Sequence, residues 1–390
     1  MPNGTYGGVR GKETSRKENH RFPTYSIVFF VNTVSYLYVC KKNDMAIFYD
    51  ITEWNEKPFF NTKGTRNKCV VSDPVDDSVY FFKTSMLKEG KDYKPEFWSE
   101  IISSEIGRFL GFNVLEYNIA KHGDEVGCIS KSMNTEEECL TEGVSILTGY
   151  DNTYEPENKA SYSAYTFHFI KAAIESFNFG EHIEDIIKTI IFDSIIGNSD
   201  RHQENWGFIT PYKETELTSE EASRIFSKLK DRFKQIKDFL TKNGSFTING
   251  HVKMKILRME GKYSPIYDSG CCLAREKNEV AVKQMLNDKT MFDSFINRGK
   301  SEIRWGNNGI KLNHFDLVKN IRGEFRETVD GIINNVISLY DENKIREIVF
   351  NIDRELPEGL REEYGLSASR KELIFRLINE RFLKLKNILL

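Results

Sequence analysis

At 390 residues, with 39% hydrophobic and 13% aromatic side chains, the chain can bury a sizeable core in two or three domains or in one bilobed body. A formal charge of −3 excludes a global basic field, so direct nucleic-acid binding is not expected. Six cysteines in this length form no disulfide framework, and vicinal Cys271-Cys272 is not a CxxC pair, which fits a reducing cytoplasm.

The first apolar run, "YSIVFFVNTVSYLYV" at 25–39, is too short for a membrane span and is interrupted by Asn32, Thr33 and Ser35. Residues 1–44 read as a leader of uncertain order whose apolar run is an edge strand or a loosely packed segment; the alternative reading places them upstream of the natural start, with Met45 opening the working protein. From Met45 to Met133 the pattern is short and strand-like with one helix. "NTKGTRNKCVV" predicts a polar hairpin turn leading into a strand. "SVYFFKTS" predicts a strand with Val79, Phe81 and Lys83 on one face and Tyr80 and Phe82 on the other. "EFWSEIISSEIGRFLGF" predicts a helix on Ile102, Ile106, Phe109 and Leu110, stopped at Gly111. "GCISKSM" adds a further strand.

From residue 134 to 390 the character is mostly helical. "ASYSAYTFHFIKAAIESF" and "HIEDIIKTIIFDSII" are apolar enough for interior helices. Residues 219–242 read as an amphipathic helix, with a capping box from Thr218 and Glu221 and a stop at Asn243-Gly244. The tail carries "DGIINNVISLY" and "KELIFRLINERFLKLKNIL". A strand-rich part of 45–133 followed by a helical part of 134–390 predicts an α+β, bilobed, protein-kinase-like fold with a small β-rich N-lobe and a larger helical C-lobe.

Phosphoryl transfer needs placed charge rather than covalent chemistry: a cation for phosphate, metal ligands, and a group to orient the nucleophile. The chain offers these in order. Lys83 sits mid-strand among aromatics, where an ammonium needs an anion; a solvent-facing lysine is the competing reading. Glu100 and Glu105 follow on one helix about 140° apart, at about 100° per residue, and periodicity alone favours Glu105 as the partner of Lys83. In "IIGNSDRHQENWGF" a polar loop follows an apolar helix, so that Asp200 can meet an attacking hydroxyl and Asn205 can offer an amide oxygen to Mg²⁺. Read alone, the same residues make an ordinary helix stop and turn. "KYSPIYDSGCCL" places Asp268 between a short apolar strand and a Ser-Gly turn, as a second oxygen ligand.

These segments resemble the HipA-like serine/threonine kinases, a bacterial family of the HipA toxin type with a smaller CtkA-like branch. "FDSIIGNSDRHQENWGF" is similar to that family's catalytic segment, "SPIYDSG" to its metal-binding Pro-x-Tyr-Asp, and "YFFKTS" to its lysine strand. "SEIISSEIGRFLG" resembles the helix whose glutamate lies eleven residues before the closing glycine, which here selects Glu100. The resemblance spans roughly 55–275. It implies Asp200 as catalytic base, Asn205 and Asp268 as Mg²⁺ ligands, Lys83 as the ATP phosphate contact, and Gly64 and Lys68 in the phosphate-covering loop. It further implies that backbone around Ser130, Lys131 and Met133 holds adenine and that His202 orients the loop. Arg201 fills a variable position and is a candidate phosphate contact.

The expected function is therefore an ATP- and Mg²⁺-dependent kinase acting on a Ser or Thr hydroxyl of a protein substrate, cytoplasmic and without a membrane span. An antitoxin-type partner is among the things the resemblance allows. Two other readings compete: a lipid kinase, since Asp-Arg-His-x-x-Asn also occurs in phosphatidylinositol kinases, and a module that binds nucleotide or a partner without catalysis.

Overall fold

In the computed structural model the described residues are 45–57, 68–88, 91–93, 95–218, 247–248, 251–257, 261–306 and 309–390. Gly64, the leader 1–44 and the expected helix 219–242 lie outside them.

The N-terminal part is built from β1 (Phe48–Asp50), β2 (Asn55–Glu56), β3 (Lys68–Ser72), β4 (Val79–Thr84), the small hairpin β5 (Leu87–Lys88) and β6 (Lys91–Asp92), helix α1 (Glu96–Phe109), β7 (Asn118–His122) and β8 (Glu125–Lys131). Six strands form one sheet in the order β1-β7-β8-β4-β3-β2, antiparallel except for the parallel β1–β7 pair. The period-2 alternation of β4 decides its faces. Phe82 packs with Ile51, Val71, Ala120 and Ile129 in a small core on one side of the sheet. Lys83 therefore points to the other side, where α1 lies.

The second part begins with β9 (Glu138–Glu142), α2 (Gly143–Tyr150), α3 (Phe167–Ser176) and α4 (Ile183–Ile196). It continues through β10 (Gly207–Thr218), β11 (Thr247–Ile248), β12 (His251–Leu257) and β13 (Lys262–Tyr263). Seven helices complete it: α5 (Glu279–Asn287), α6 (Lys289–Arg298), α7 (His314–Glu324), α8 (Arg326–Leu339), α9 (Glu342–Asn351), α10 (Glu358–Tyr364) and α11 (Ala368–Lys386). The second part is mostly helical, as expected, and it also contains a sheet around β10 that the sequence reading did not foresee. The near end of β10 pairs with β9 on one side and β13 on the other, and its far end pairs with β12. Helix α4 is apolar on nearly all sides because it runs through the main core, which also takes in α1 and α11.

That sheet positions the polar loop 197–206. The loop leaves α4, enters β10 directly, and β13 lies alongside β10 through Phe208 and Tyr263. Beyond β13 the chain is tied to the N-terminal part, since Ile266 bridges Val114, the Leu115 N–H donates to the Ile266 carbonyl (2.9 Å) and the Ile266 N–H donates to the Asn113 carbonyl (2.8 Å). Asp268 follows two residues later, at the seam between the two parts. Among the described residues no helix is long and apolar enough to cross a membrane.

Candidate active site

Helix α1 explains which glutamate meets the lysine. Twelve of its fourteen residues are buried, Glu100 and Glu105 among them, so no solvent-facing stripe separates them. Glu105 is taken by Arg108 one turn on (2.6 Å). Glu100 pairs with the Lys83 ammonium through Oε1, and its Oε2 accepts the Ser269 backbone N–H (2.8 Å). The periodicity that favoured Glu105 is overruled. Gly270 allows the approach, because a Cβ there would stand 2.8 Å from Glu100 Oε1.

Lys83 has a second carboxylate. Its Nζ donates to Asp268 Oδ1 (2.9 Å) and lies 4.9 Å from the centre of the Tyr117 ring. Burial alone would lower the lysine pKa, but Asp268 and Glu100 outweigh it and hold the ammonium well above its ordinary value. Burial pushes the Tyr117 phenol up, so it stays protonated, and its oxygen accepts the Asp268 backbone N–H (3.3 Å). Asp268 has φ +53°, the left-handed region that non-glycine residues rarely occupy outside tight turns and functional sites. Its side chain is 29% exposed whereas that of Glu100 is 0% exposed, so Asp268 is the carboxylate open to solvent.

In the second part, α4 ends at Gly197 with φ +72°, and the Gly197 and Asn198 N–H groups both cap the Asp193 carbonyl. A side chain at 197 would also strike Arg381, whose Cζ lies 2.7 Å from the place a Cβ would take. Asp200 is then fixed through its backbone: its N–H donates to Asn198 Oδ1 (3.2 Å), and its carbonyl accepts from Asn205 Nδ2 (2.8 Å). With that amide nitrogen committed, the oxygen is what Asn205 has to offer a cation. His202 shapes the turn, its Nδ1 accepting the Glu204 N–H (3.3 Å) and its carbonyl the Asn205 N–H (2.9 Å). The Asp200 carboxylate accepts from the Cys271 thiol (3.1 Å).

Arg201 requires a correction. It is 1% exposed and does not reach the cleft. Its Nε and Nη2 grip Asp193 (3.0 and 2.8 Å), Nη2 also reaches Ser269 Oγ (3.1 Å), and Nη1 donates to the carbonyls of Asn205 (2.7 Å) and Tyr267 (2.5 Å). All five guanidinium donors are used inside the protein. Burial would lower its pKa, yet Asp193 holds it above the ordinary value. Arg201 therefore clips α4, the polar loop and both neighbours of Asp268 together, which is how residues 68 positions apart in sequence are held side by side. Asp193 was missed by sequence reasoning; the signal was a carboxylate inside "IIFDSII", which a buried helix tolerates only with a cation nearby.

The remaining expected residues lie along the sheet. Lys68 starts β3 opposite Lys83. Ser130 and Lys131 end β8 opposite Phe81 and Tyr80, the Ser132 N–H is still held by the Val79 carbonyl (2.8 Å), and the chain leaves the sheet at Met133. Among the described residues no cluster of three or more His, Cys, Asp or Glu could hold a metal ion. One carboxylate and one amide oxygen remain, a donor set that suits Mg²⁺, which keeps waters and substrate phosphates in its shell.

A curled sheet carrying a lysine, paired to a helix glutamate and facing a polar loop on a largely helical second part, defines a kinase-like α+β fold. Comparisons with known proteins give the particular likeness. No protein-family model matches the chain. It is 20% identical over 314 residues to the serine/threonine-protein kinase CtkA of Helicobacter pylori, across 78% of this chain and 75% of that protein. The crystal structure of the H. pylori proinflammatory kinase CtkA matches with a TM-score of 0.63 at 19% identity, covering 88% of this chain and 96% of that one. The HipA toxin of Shewanella oneidensis, solved with HipB and operator DNA, gives a TM-score of 0.42 at 10% identity over 86% and 66%, too distant to add weight. The resemblance to HipA-like kinases is borne out as homology to CtkA at low identity.

Proposed function

We propose that this chain is a serine/threonine protein kinase that uses ATP and Mg²⁺ to phosphorylate a protein hydroxyl. The observation that carries this reading is the double pairing of Lys83 with a sealed carboxylate, Glu100, and an open one, Asp268, beside the Asp200–Asn205 loop.

Lys83 would exchange Asp268 for phosphate oxygens while keeping Glu100, because only Asp268 is open to solvent. Asp268, so released, would hold Mg²⁺ together with Asn205. When bound, the ion supplies positive charge against the β,γ-phosphates. Asp200 accepts a hydrogen bond from the incoming Ser or Thr hydroxyl and takes its proton as that oxygen bonds to the γ-phosphorus. The bond from phosphorus to the β-bridging oxygen breaks and ADP departs.

Incubation of the full chain with γ-labelled ATP and Mg²⁺ tests the proposal. Label is expected in protein with the intact chain and not with Asp200→Ala. Label only in added phosphatidylinositol vesicles would make it a lipid kinase. ATP binding with no transfer to any acceptor would make it a binding module.

A further inference from the structure

Cys271, three residues after Asp268, reaches the polar loop. Its Sγ donates to Asp200 Oδ2 (3.1 Å) and accepts from Arg275 Nη2 (2.9 Å). Arg275 forms an ion pair with Glu96 (2.9 Å) and lies 4.7 Å from the centre of the Tyr93 ring. Glu96 is fully buried in the first turn of α1, where its Oε2 also accepts the Met86 backbone N–H (2.8 Å).

We propose that Cys271 is a positioning residue for phosphoryl transfer: its thiol fixes the rotamer of the Asp200 carboxylate and ties it, through Arg275 and Glu96, to the helix that carries Glu100. This rests on the reading of Asp200 as proton acceptor. The backbone of Asp200 is held on both sides by Asn198 and Asn205, so the torsions of its side chain are what remain to be set. A donor on Oδ2 sets them and leaves Oδ1 for the substrate hydroxyl.

The chemistry of the donor matters as much as its place. A cation directly on Asp200 would stabilise the carboxylate and weaken it as a base. A thiol is a weak donor and takes little of that basicity. Arg275 stands one atom further back, its charge offset by Glu96, and its N–H into the sulfur strengthens the S–H bond to Asp200. The arrangement uses the S–H form, because the bond to Asp200 Oδ2 needs a proton on sulfur. The arrangement also gives one wire between the two sides of the cleft: a shift of the first turn of α1 would move the group that aims the base.

The test uses the full chain with γ-labelled ATP and Mg²⁺, following both autophosphorylation and phosphate release to water, for the intact protein, Cys271→Ser, Cys271→Ala and Asp200→Ala. Ser keeps an O–H donor. It is expected to stay within about threefold of the intact kcat, whereas Ala is expected to lose about ten- to a hundredfold in kcat with the KM for ATP little changed. Equal melting temperatures for both cysteine variants complete the expected result. Three outcomes overturn it: an Ala variant with the intact kcat, Ser and Ala falling together, or a loss that follows the melting temperature and so reports packing. An inactive Asp200→Ala beside an unimpaired Cys271→Ala would sink the positioning role and leave the kinase reading standing. An Asp200→Ala variant as active as the intact chain, or no turnover by the intact chain, would sink that reading itself.

Discussion

Two ion clusters meet around Asp268 and are built on opposite rules. In the Asp193–Arg201 cluster one cation faces one carboxylate, every guanidinium donor has a protein acceptor, and both side chains are at least 96% buried. In the Lys83 cluster one cation faces two carboxylates, and one of these, Asp268, is partly open and held at a left-handed backbone angle. The first is neutral and closed, so it serves as a clip. The second has a surplus negative charge at an open edge, which is what a site awaiting a cation needs. Their proximity couples them structurally, because the closed cluster holds both neighbours of the open cluster's exposed residue.

The largest expected effect comes from removing the surplus charge. Asp268→Asn keeps the shape of the side chain and should lower phosphoryl transfer by about 10³-fold, the scale of losing a placed electrostatic contact. Thermal unfolding should change little, since Asp268 is partly exposed and Lys83 keeps Glu100 as its buried partner. A near-normal rate would refute the assignment of Asp268 as a ligand. A large fall in melting temperature would mean that both clusters are structural.

The closed cluster should answer in stability. Arg201→Met leaves Asp193 buried without a cation and should cost about 3–5 kcal/mol in denaturant unfolding. Adding Asp193→Leu should recover much of that loss, because the stranded charge is then gone. Recovery will be incomplete, as Arg201 also serves the carbonyls of Asn205 and Tyr267. If the double variant is no better than the single one, the pair is not the centre of the clip.

The same contrast explains what could be read from the sequence. Open charges announce themselves: Lys83 among aromatics, Asp200 and Asn205 after an apolar helix, and Asp268 before Ser-Gly stand out because a bland fold has little use for them there. In the structure Lys83 pairs with Asp268, and Arg201 ties the loop of Asp200 and Asn205 to both neighbours of Asp268. Closed charges do not announce themselves. Arg201 looked like a phosphate contact because its partner lies eight residues upstream inside a helix that reads as pure core. Glu105 looked like the partner of Lys83 because a periodicity argument needs a solvent face, and α1 has almost none. The sheet around β10 was not foreseen because its pairing is between segments distant in sequence, β9 with β10 and β10 with β13, which local pattern does not encode. The kinase-like order of a strand-rich part before a helical one was legible, since it depends on element type alone.

A third buried cation shows what happens when the rule of the closed cluster is not met. Arg381, on α11, is 2% exposed, donates to the Ser194 carbonyl (3.2 Å), and among the described residues has no carboxylate paired with it. Burial lowers its pKa to about 10. His314, at the start of α7, is 1% exposed with its Nε2 unpartnered, and burial together with Arg381 pushes it down to about 3. Between that value and the ordinary histidine value of 6.5, the unfolded chain binds a proton that the folded chain refuses. Stability from this site is therefore complete above pH 6.5 and is lost as the pH falls toward 3. The slope is one proton, so the intact chain should lose on the order of 1.4 kcal/mol more than His314→Gln between about pH 7.5 and about pH 5.5 in urea unfolding. Equal losses in the two proteins would mean that His314 accepts its proton in the folded state, and that the interior accommodates a second positive charge beside Arg381.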